Sequence, residues 1–265
     1  PLVKNYYFDY LAYHPRPEEL PWWERFAQRV QRSATYQNVA AARSRVFVIW
    51  PGERKEELAR NIGAVLRWDE ADRARFLELV LTAPPVLAEG TFYPGSYLAH
   101  REATPAEVAN LITTRFEAEI GRRYTQSVEA VVPLEQALTI ASLLEREARD
   151  FSDMQIISGV IWNRLFADMP LQLDATLQYA RGSRSWEPDW WPAPVPSDKF
   201  IDSAFNTYQN AGLPPSPIAN PSLPAILAAL NPTRTPCLFY FHGPDKRFYC
   251  SETYEEHRQK LQRVY

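Results

Sequence analysis

The chain has 265 residues, enough for one large domain with a small appendage, and its 46% hydrophobic and 23% charged content is an ordinary globular balance. With 29 Lys plus Arg against 32 Asp plus Glu the net charge is −3, which argues against the basic surface that a nucleic-acid partner needs. No stretch approaches the ~20 apolar residues of a membrane-spanning helix, and no basic-then-apolar signal peptide opens the chain. Pro1 stands where an initiator Met is expected, so the reading is of a processed or trimmed chain that leaves room for an anchor upstream.

In chain order, residues 18–31 are patterned as an amphipathic helix. Val46-Phe-Val-Ile-Trp50 predicts a strand, ended by Pro51-Gly52. Residues 53–66 then show helical spacing, with Leu58, Ile62 and Leu66 on one face, and a second helix over 70–81 stops at Pro84-Pro85. Residues 105–124 and 133–150 both predict helices, the first with Thr104 as N-cap and Pro105 at its first position. A third helix, 153–166, carries Ile156, Ile157, Val160 and Ile161 on one side.

The stretch 188–224 is dense in proline, yet Trp190, Trp191, Phe205, Tyr208, Leu213 and Ile218 are too many large apolar groups for a solvated linker. It reads as an ordered wall. Cys237 to Phe241 and Lys246 to Cys250, around a four-residue loop at 242–245, predict a hairpin with Cys237 opposite Cys250. A disulfide there requires an oxidising compartment, whereas a one-residue slip leaves two half-buried thiols. A helix over 254–264 completes an α+β pattern.

The chemistry is narrowed by what is missing. The four histidines, His14, His100, His242 and His257, have no metal-ligand spacing, so no metal and no cofactor are expected. There is no Gly-x-Ser-x-Gly elbow and no P-loop, and 9 glycines in the chain disfavour a phosphate-cradling loop. Carboxylates and aromatics remain, including 8 Trp and 14 Tyr, a combination suited to glycosidic bonds, where a carboxylic acid protonates the leaving oxygen. The most unusual carboxylates, Glu145 and Glu147, ride an apolar helix. Two residues apart they point roughly 200° from each other, so both cannot face one pocket, and periodicity does not choose between them.

Leu138-Thr-Ile-Ala-Ser-Leu-Leu-Glu-Arg-Glu147 resembles the signature helix of the endolytic murein transglycosylase family (MltG/YceG-like). Upstream, Glu89-Gly-Thr-Phe-Tyr-Pro-Gly-Ser-Tyr97 is similar to that family's Glu-Gly-x-x-x-Pro-Asp-Thr-Tyr segment. Downstream the match continues in order through Asn163-Arg-Leu165, Met169-Pro-Leu-Gln-Leu-Asp-Ala-Thr176 with Tyr179, and Phe205-Asn-Thr-Tyr208. It closes with Gly212 to Pro221, Ala228-Ala-Leu-Asn-Pro232 and Tyr254-Glu-Glu-His257. Each motif alone is weak, and their shared order is what makes the likeness specific. Departures are Gly95-Ser96 for Asp-Thr, Ala175 for Pro, and Ala204-Phe205 for Pro-Tyr.

The resemblance implies a YceG-like catalytic domain over 86–265, preceded by an N-terminal region, 1–85, with a LysM-like strand-helix segment at about 44–82. It implies an endolytic lyase that cuts between N-acetylmuramic acid and N-acetylglucosamine, with Glu147 as the acid. Asn163, Gln172, Asp174, Thr176, Tyr179, Asn206, Thr207 and Tyr208 are the implied substrate contacts, each with loop pinning as its structural alternative. Glycan strands are the implied partner, with peptidoglycan synthases nearby and an N-terminal tether outside the cytoplasmic membrane. A lysozyme-like hydrolase and a non-catalytic wall-binding protein stay open as alternatives.

Overall fold

The structure, a computed structural model, describes residues 43–82, 87–182 and 189–265. The helix expected over 18–31 and the stop at Pro84-Pro85 lie outside these residues. The described chain is mixed helix and sheet, with two small antiparallel sheets of two strands each and two hydrophobic cores.

The smaller core begins with strand β1 (Ser44–Ile49), followed by helices α1 (Lys55–Leu66) and α2 (Glu70–Thr82) and strand β2 (Gly95–His100). Strands β1 and β2 pair antiparallel from Ser44↔His100 to Ile49↔Gly95. Alternation along the strands turns Phe47, Ile49, Tyr97 and Ala99 inward, and leaves Val46 and Leu98 outside. Phe47 and Tyr97 stack at 5.1 Å, and Leu58, Ile62 and Leu66 of α1 meet Phe76 and Val80 of α2 beneath them. This core closes only with Val108 and Ile112 of helix α3 (Pro105–Glu119), so it draws on residues from both sides of position 85.

Thr104 caps α3 as expected, in a reciprocal box with Glu107: the Glu107 amide donates to the Thr104 hydroxyl at 3.3 Å, and the Thr104 amide donates to the Glu107 carboxylate at 2.8 Å. The helix is shorter than the predicted 105–124, because it gives way at Gly121 to a 3₁₀ turn, Gly121–Arg123. A single turn, α4 (Gln126–Glu129), leads to α5 (Leu134–Glu147).

Helix α5 is the axis of the larger core. Every residue from Ala137 to Leu144 is buried, which fits a helix apolar on most of its circumference. Its buried hydroxyls are spoken for. Thr139 donates to the Glu135 carbonyl at 2.7 Å, and Ser142 donates to Thr139 O while accepting from the Ile218 amide at 3.0 Å. Around α5 pack α6 (Phe151–Phe166), α7 (Asp174–Gly182) and α8 (Leu223–Leu230). The predicted 133–150 overshoots: Ala148 is extended, and Asp150 caps α6 by accepting from the Asp153 amide at 3.0 Å. This early stop puts Glu147 on the last residue of α5.

The proline-rich stretch is packed wherever it is described, with Trp191, Phe205 and Leu213 against the larger core. Gly90, at φ 90°, lies so close to it that a Cβ would stand 2.7 Å from Pro217. The first motif and the Gly212–Pro221 motif therefore touch through a contact that only glycine permits.

The chain closes with β3 (Phe239–His242), β4 (Phe248–Ser251) and α9 (Tyr254–Val264). Cys237 and Cys250 form a disulfide, with Cα atoms 5.8 Å apart. The expected register is corrected by three residues, since Cys250 faces Tyr240 rather than Cys237. The cause is the turn. Pro244 and Asp245 form its corner, Lys246 takes a left-handed φ of 63°, and the Gly243 amide donates to the Arg247 carbonyl at 2.9 Å. The bridge therefore ties the approach to β3, not β3 itself, to β4. Closing a loop of sequence separation 13, it should contribute about 3 kcal/mol, and reduction should lower the unfolding midpoint in urea accordingly.

Candidate active site

The two glutamates that periodicity leaves equivalent have different surroundings. The Glu145 carboxylate accepts from the Ser222 amide at 2.9 Å and the Ser222 hydroxyl at 2.6 Å, while Ser222 caps α8. Glu145 thus fixes α8 to α5. Glu145→Ala is expected to cost about 1–2 kcal/mol in urea unfolding.

Glu147 turns the other way, half-buried at the C-terminal end of α5. The Tyr240 hydroxyl of β3 donates to its Oε2 at 3.0 Å, and the Ala175 amide, in the first turn of α7, reaches its Oε1 at 3.4 Å. Desolvation pushes its pKa above the usual carboxyl value; the Tyr240 and Ala175 donors oppose that, and the Asp174 carboxylate adds to it. The negative end of the α5 dipole also disfavours an ionised group there. Glu147 therefore holds its proton more firmly than an ordinary glutamate.

Asp174 is exposed and acts on Glu147, Gln172 is exposed two residues before it, and Tyr208 is half-buried with its hydroxyl donating to Asp174 Oδ1 at 2.7 Å. Gln172 has a left-handed φ of 53°, and its amide donates to the Thr207 carbonyl at 3.0 Å, which holds the 171–173 segment in place. Glu147, Asp174 and Tyr208 are thus brought together by three hydrogen-bonded segments, with Gln172 on one of them.

The other implied contacts are turned inward. Thr176 and Thr207 are buried and bond each other at 2.9 Å, with Thr176 donating to Leu173 O and Thr207 accepting from Leu173 N. Asn206, also buried, donates to the carbonyls of Lys199 and Ile201 and accepts from the Tyr208 amide. Asn163 is half-buried and donates to the carbonyls of Thr235 and Cys237 at 2.8 and 3.0 Å. Thr176, Thr207 and Asn206 hold the segments that carry Asp174 and Tyr208, whereas Asn163 holds the chain leading into β3.

Tyr179 belongs to a separate buried cluster between the two cores. Its hydroxyl lies 3.0 Å from Lys55 Nζ and 3.4 Å from Glu89 Oε2, its ring stands 4.7 Å from Phe205, and the Arg54 guanidinium sits 4.1 Å above it. Glu89 also accepts from the Lys55 amide at 2.9 Å, capping α1 from a distance. Burial pushes the Glu89 carboxyl up to about 7 against the pull of Lys55. A cavity on the smaller unit, lined by Arg45, Arg67, Trp68 and Arg101 among others, shares no residue with the Glu147 site. Among the described residues no His/Cys/Asp/Glu group has the form of a metal site, and no helix is long and apolar enough to cross a membrane.

Sequence reasoning did not single out Tyr240 or the Ala175 amide. The Tyr240 signal was its place in the expected hairpin; the Ala175 amide has none beyond the departure from proline, which has no N–H to offer.

Residues 23–263 match the model of the YceG-like family. The chain belongs to the YceG-like family. Among its relatives, an endolytic murein transglycosylase of Streptococcus pneumoniae serotype 2 is 31% identical over 174 residues, 65% of this chain and 31% of the relative. One of Bacillus subtilis is 31% identical over 172 residues, 64% of this chain and 46% of the relative. The chain thus spans less than half the length of these relatives. A crystal structure of a YceG-like protein from Listeria monocytogenes superposes with a TM-score of 0.70 at 27% identity, covering 81% of this chain and 75% of that one. The YceG-like likeness therefore holds for the three-dimensional arrangement as well as for the motifs.

Proposed function

We propose that the protein is an endolytic peptidoglycan lytic transglycosylase with Glu147 as its acid. The observation that carries this reading is one carboxyl group whose surroundings favour the proton, standing half-buried against the Tyr240 hydroxyl and the Ala175 amide, with the exposed Asp174 acting on it. The relatives' name, endolytic murein transglycosylase, supports the same substrate. Glu147 gives its proton to the oxygen that leaves the muramic acid anomeric carbon as the glycosidic bond breaks. The resulting carboxylate takes the proton of the muramic acid 6-hydroxyl, whose oxygen bonds to the anomeric carbon and closes a 1,6-anhydro ring. One residue serves as acid and then as base, and no water is consumed.

Gln172 offers amide donors and acceptors to hydroxyl or acetamido groups, and Tyr208 offers a ring face with its hydroxyl on Asp174. Asp174 is placed to steady the positive charge that develops on the ring. Thr176, Asn206 and Thr207 act one step back, by holding the segments that carry these groups, Tyr179 anchors α7 from its own buried cluster, and Asn163 holds the chain that leads into β3. The strand-helix-helix-strand order of 44–100 supports reading the smaller unit as LysM-like. The Cys237–Cys250 bridge supports work in an oxidising compartment, outside the cytoplasmic membrane, where synthases that extend glycan strands are the natural partners. A tether there would lie outside the described residues.

Digestion of glycan strands of defined length tests the endolytic part. Internal cutting gives fragments of intermediate length from the first time points. Accumulation of disaccharides alone would mean an enzyme working from strand ends and would overturn it.

A further inference from the structure

We infer that Tyr240 is a positioning residue for Glu147 and that the Cys237–Cys250 disulfide is the clamp that keeps it in place. The inference rests on Glu147 being the acid proposed above. The Tyr240 hydroxyl donates to Oε2 at 3.0 Å, whereas the donor facing Oε1, the Ala175 amide, is at the long distance of 3.4 Å. With Oε2 occupied as an acceptor, the proton of the neutral acid resides on Oε1. The phenol therefore selects which oxygen carries the transferable proton, and after transfer the same bond stabilises the carboxylate that must act as base.

Tyr240 needs a mount because its strand is short. The ladder runs only from Phe239↔Ser251 to His242↔Phe248, and a hairpin of this size is marginal by itself. Cys250 is the direct cross-strand neighbour of Tyr240, and Phe248 stacks on the Tyr240 ring at 5.8 Å. Cys237 is joined to Cys250, and its carbonyl is held by Asn163 at 3.0 Å; the next carbonyl, Leu238, is held by Arg164 Nε at 2.6 Å. At the far end of β3, His242 Nε2 lies 2.9 Å from Asp153 Oδ2. The bridge thus ties the partner strand of Tyr240 to an anchor on α6, the helix that follows Glu147.

The test is the titration of the Glu147 carboxyl carbon by NMR in glutamate-labelled protein, its signal assigned by loss in Glu147→Gln, with kcat and KM on purified glycan strands across pH. Tyr240→Phe keeps the ring and removes the donor. Its Glu147 midpoint should rise by about half to one pH unit, because the lost bond favours the ionised form. The alkaline limb of kcat should move up equally, with kcat lower by roughly tenfold and KM within about twofold. The double variant Cys237→Ser/Cys250→Ser should shift the midpoint in the same direction, and adding Tyr240→Phe should move it no further. An unchanged midpoint in Tyr240→Phe would overturn the positioning role. A parental midpoint in the double cysteine variant, or collapse of its other glutamate signals through global unfolding, would overturn the clamp. The titration reads the contact whether or not strands are cut, so a parent protein that yields no products would sink the lytic reading separately.

Discussion

Glu147→Gln is expected to lower glycan-strand cleavage by about 10²–10⁴-fold, to the background of the assay, while the thermal midpoint moves by no more than a degree or two. The amide keeps the shape of the carboxyl and can still accept from Tyr240, so nothing in the packing is lost. It cannot donate a proton to a leaving oxygen. In the parent protein the acid must be protonated, so kcat should fall as pH rises through the Glu147 pKa. That pKa is raised by burial, which places the alkaline limb above the range of an ordinary glutamate. Counting new strand ends against pH for both proteins checks the loss and its sign together. A variant that kept most of its activity would remove Glu147 from the chemistry, and a matching loss in Glu145→Gln would transfer the role.

The second large effect is on stability. Arg54 is fully buried between the two cores, with Nε 2.7 Å from Glu56 Oε2 and Nη1 donating to the Tyr179 carbonyl at 3.3 Å. Its guanidinium is sandwiched by Tyr179 at 4.1 Å and Trp190 at 5.3 Å. Arg54→Ala leaves Glu56 without this partner and opens a hole beside two aromatic rings. Since Glu56 keeps partial contact with water, a loss of about 2–4 kcal/mol is expected, below the full cost of a stranded buried charge. Arg54→Lys should recover little, because an ammonium neither stacks as a plane nor offers the same fork of donors. Urea unfolding followed by tryptophan fluorescence measures it, and a loss under about 1 kcal/mol would show that the guanidinium does not hold the seam.

Much of the scaffold is legible from periodicity. The strand at 46–50 and the helices α1, α2 and α6 have long apolar patterns with clear caps or stops, and each is found within a few residues of its expected span. Strand β2 is not legible, because Gly95 to His100 is short and sits in a motif whose interest is its Glu89-Gly90 opening. Helix α7 is short, and its inward face is fixed by contacts with Glu147, Thr207 and Lys55 from distant parts of the chain. The choice between Glu145 and Glu147 is of the same kind. Both lie at the edge of one apolar helix, and only the docking of Ser222 on one side and Tyr240 on the other separates them. The hairpin register failed for a local reason, since Lys246 in the left-handed region lengthens the turn beyond the assumed four residues.

Many motif residues that looked like sugar contacts prove to be buried. Thr176, Thr207 and Asn206 carry side chains as suited to pinning a loop as to meeting a hydroxyl group, and their burial is something residue type does not reveal. Gln172 shows the converse. Its left-handed backbone and its exposed position are equally invisible in its residue type.

The most direct test of the account is the mass of the new muramic acid ends released from purified glycan strands by the parent protein. Attack by the 6-hydroxyl predicts 1,6-anhydro ends, lighter by one water than hydrolytic ends. Hydrated reducing ends would contradict it and would mean that Glu147 works with a water molecule.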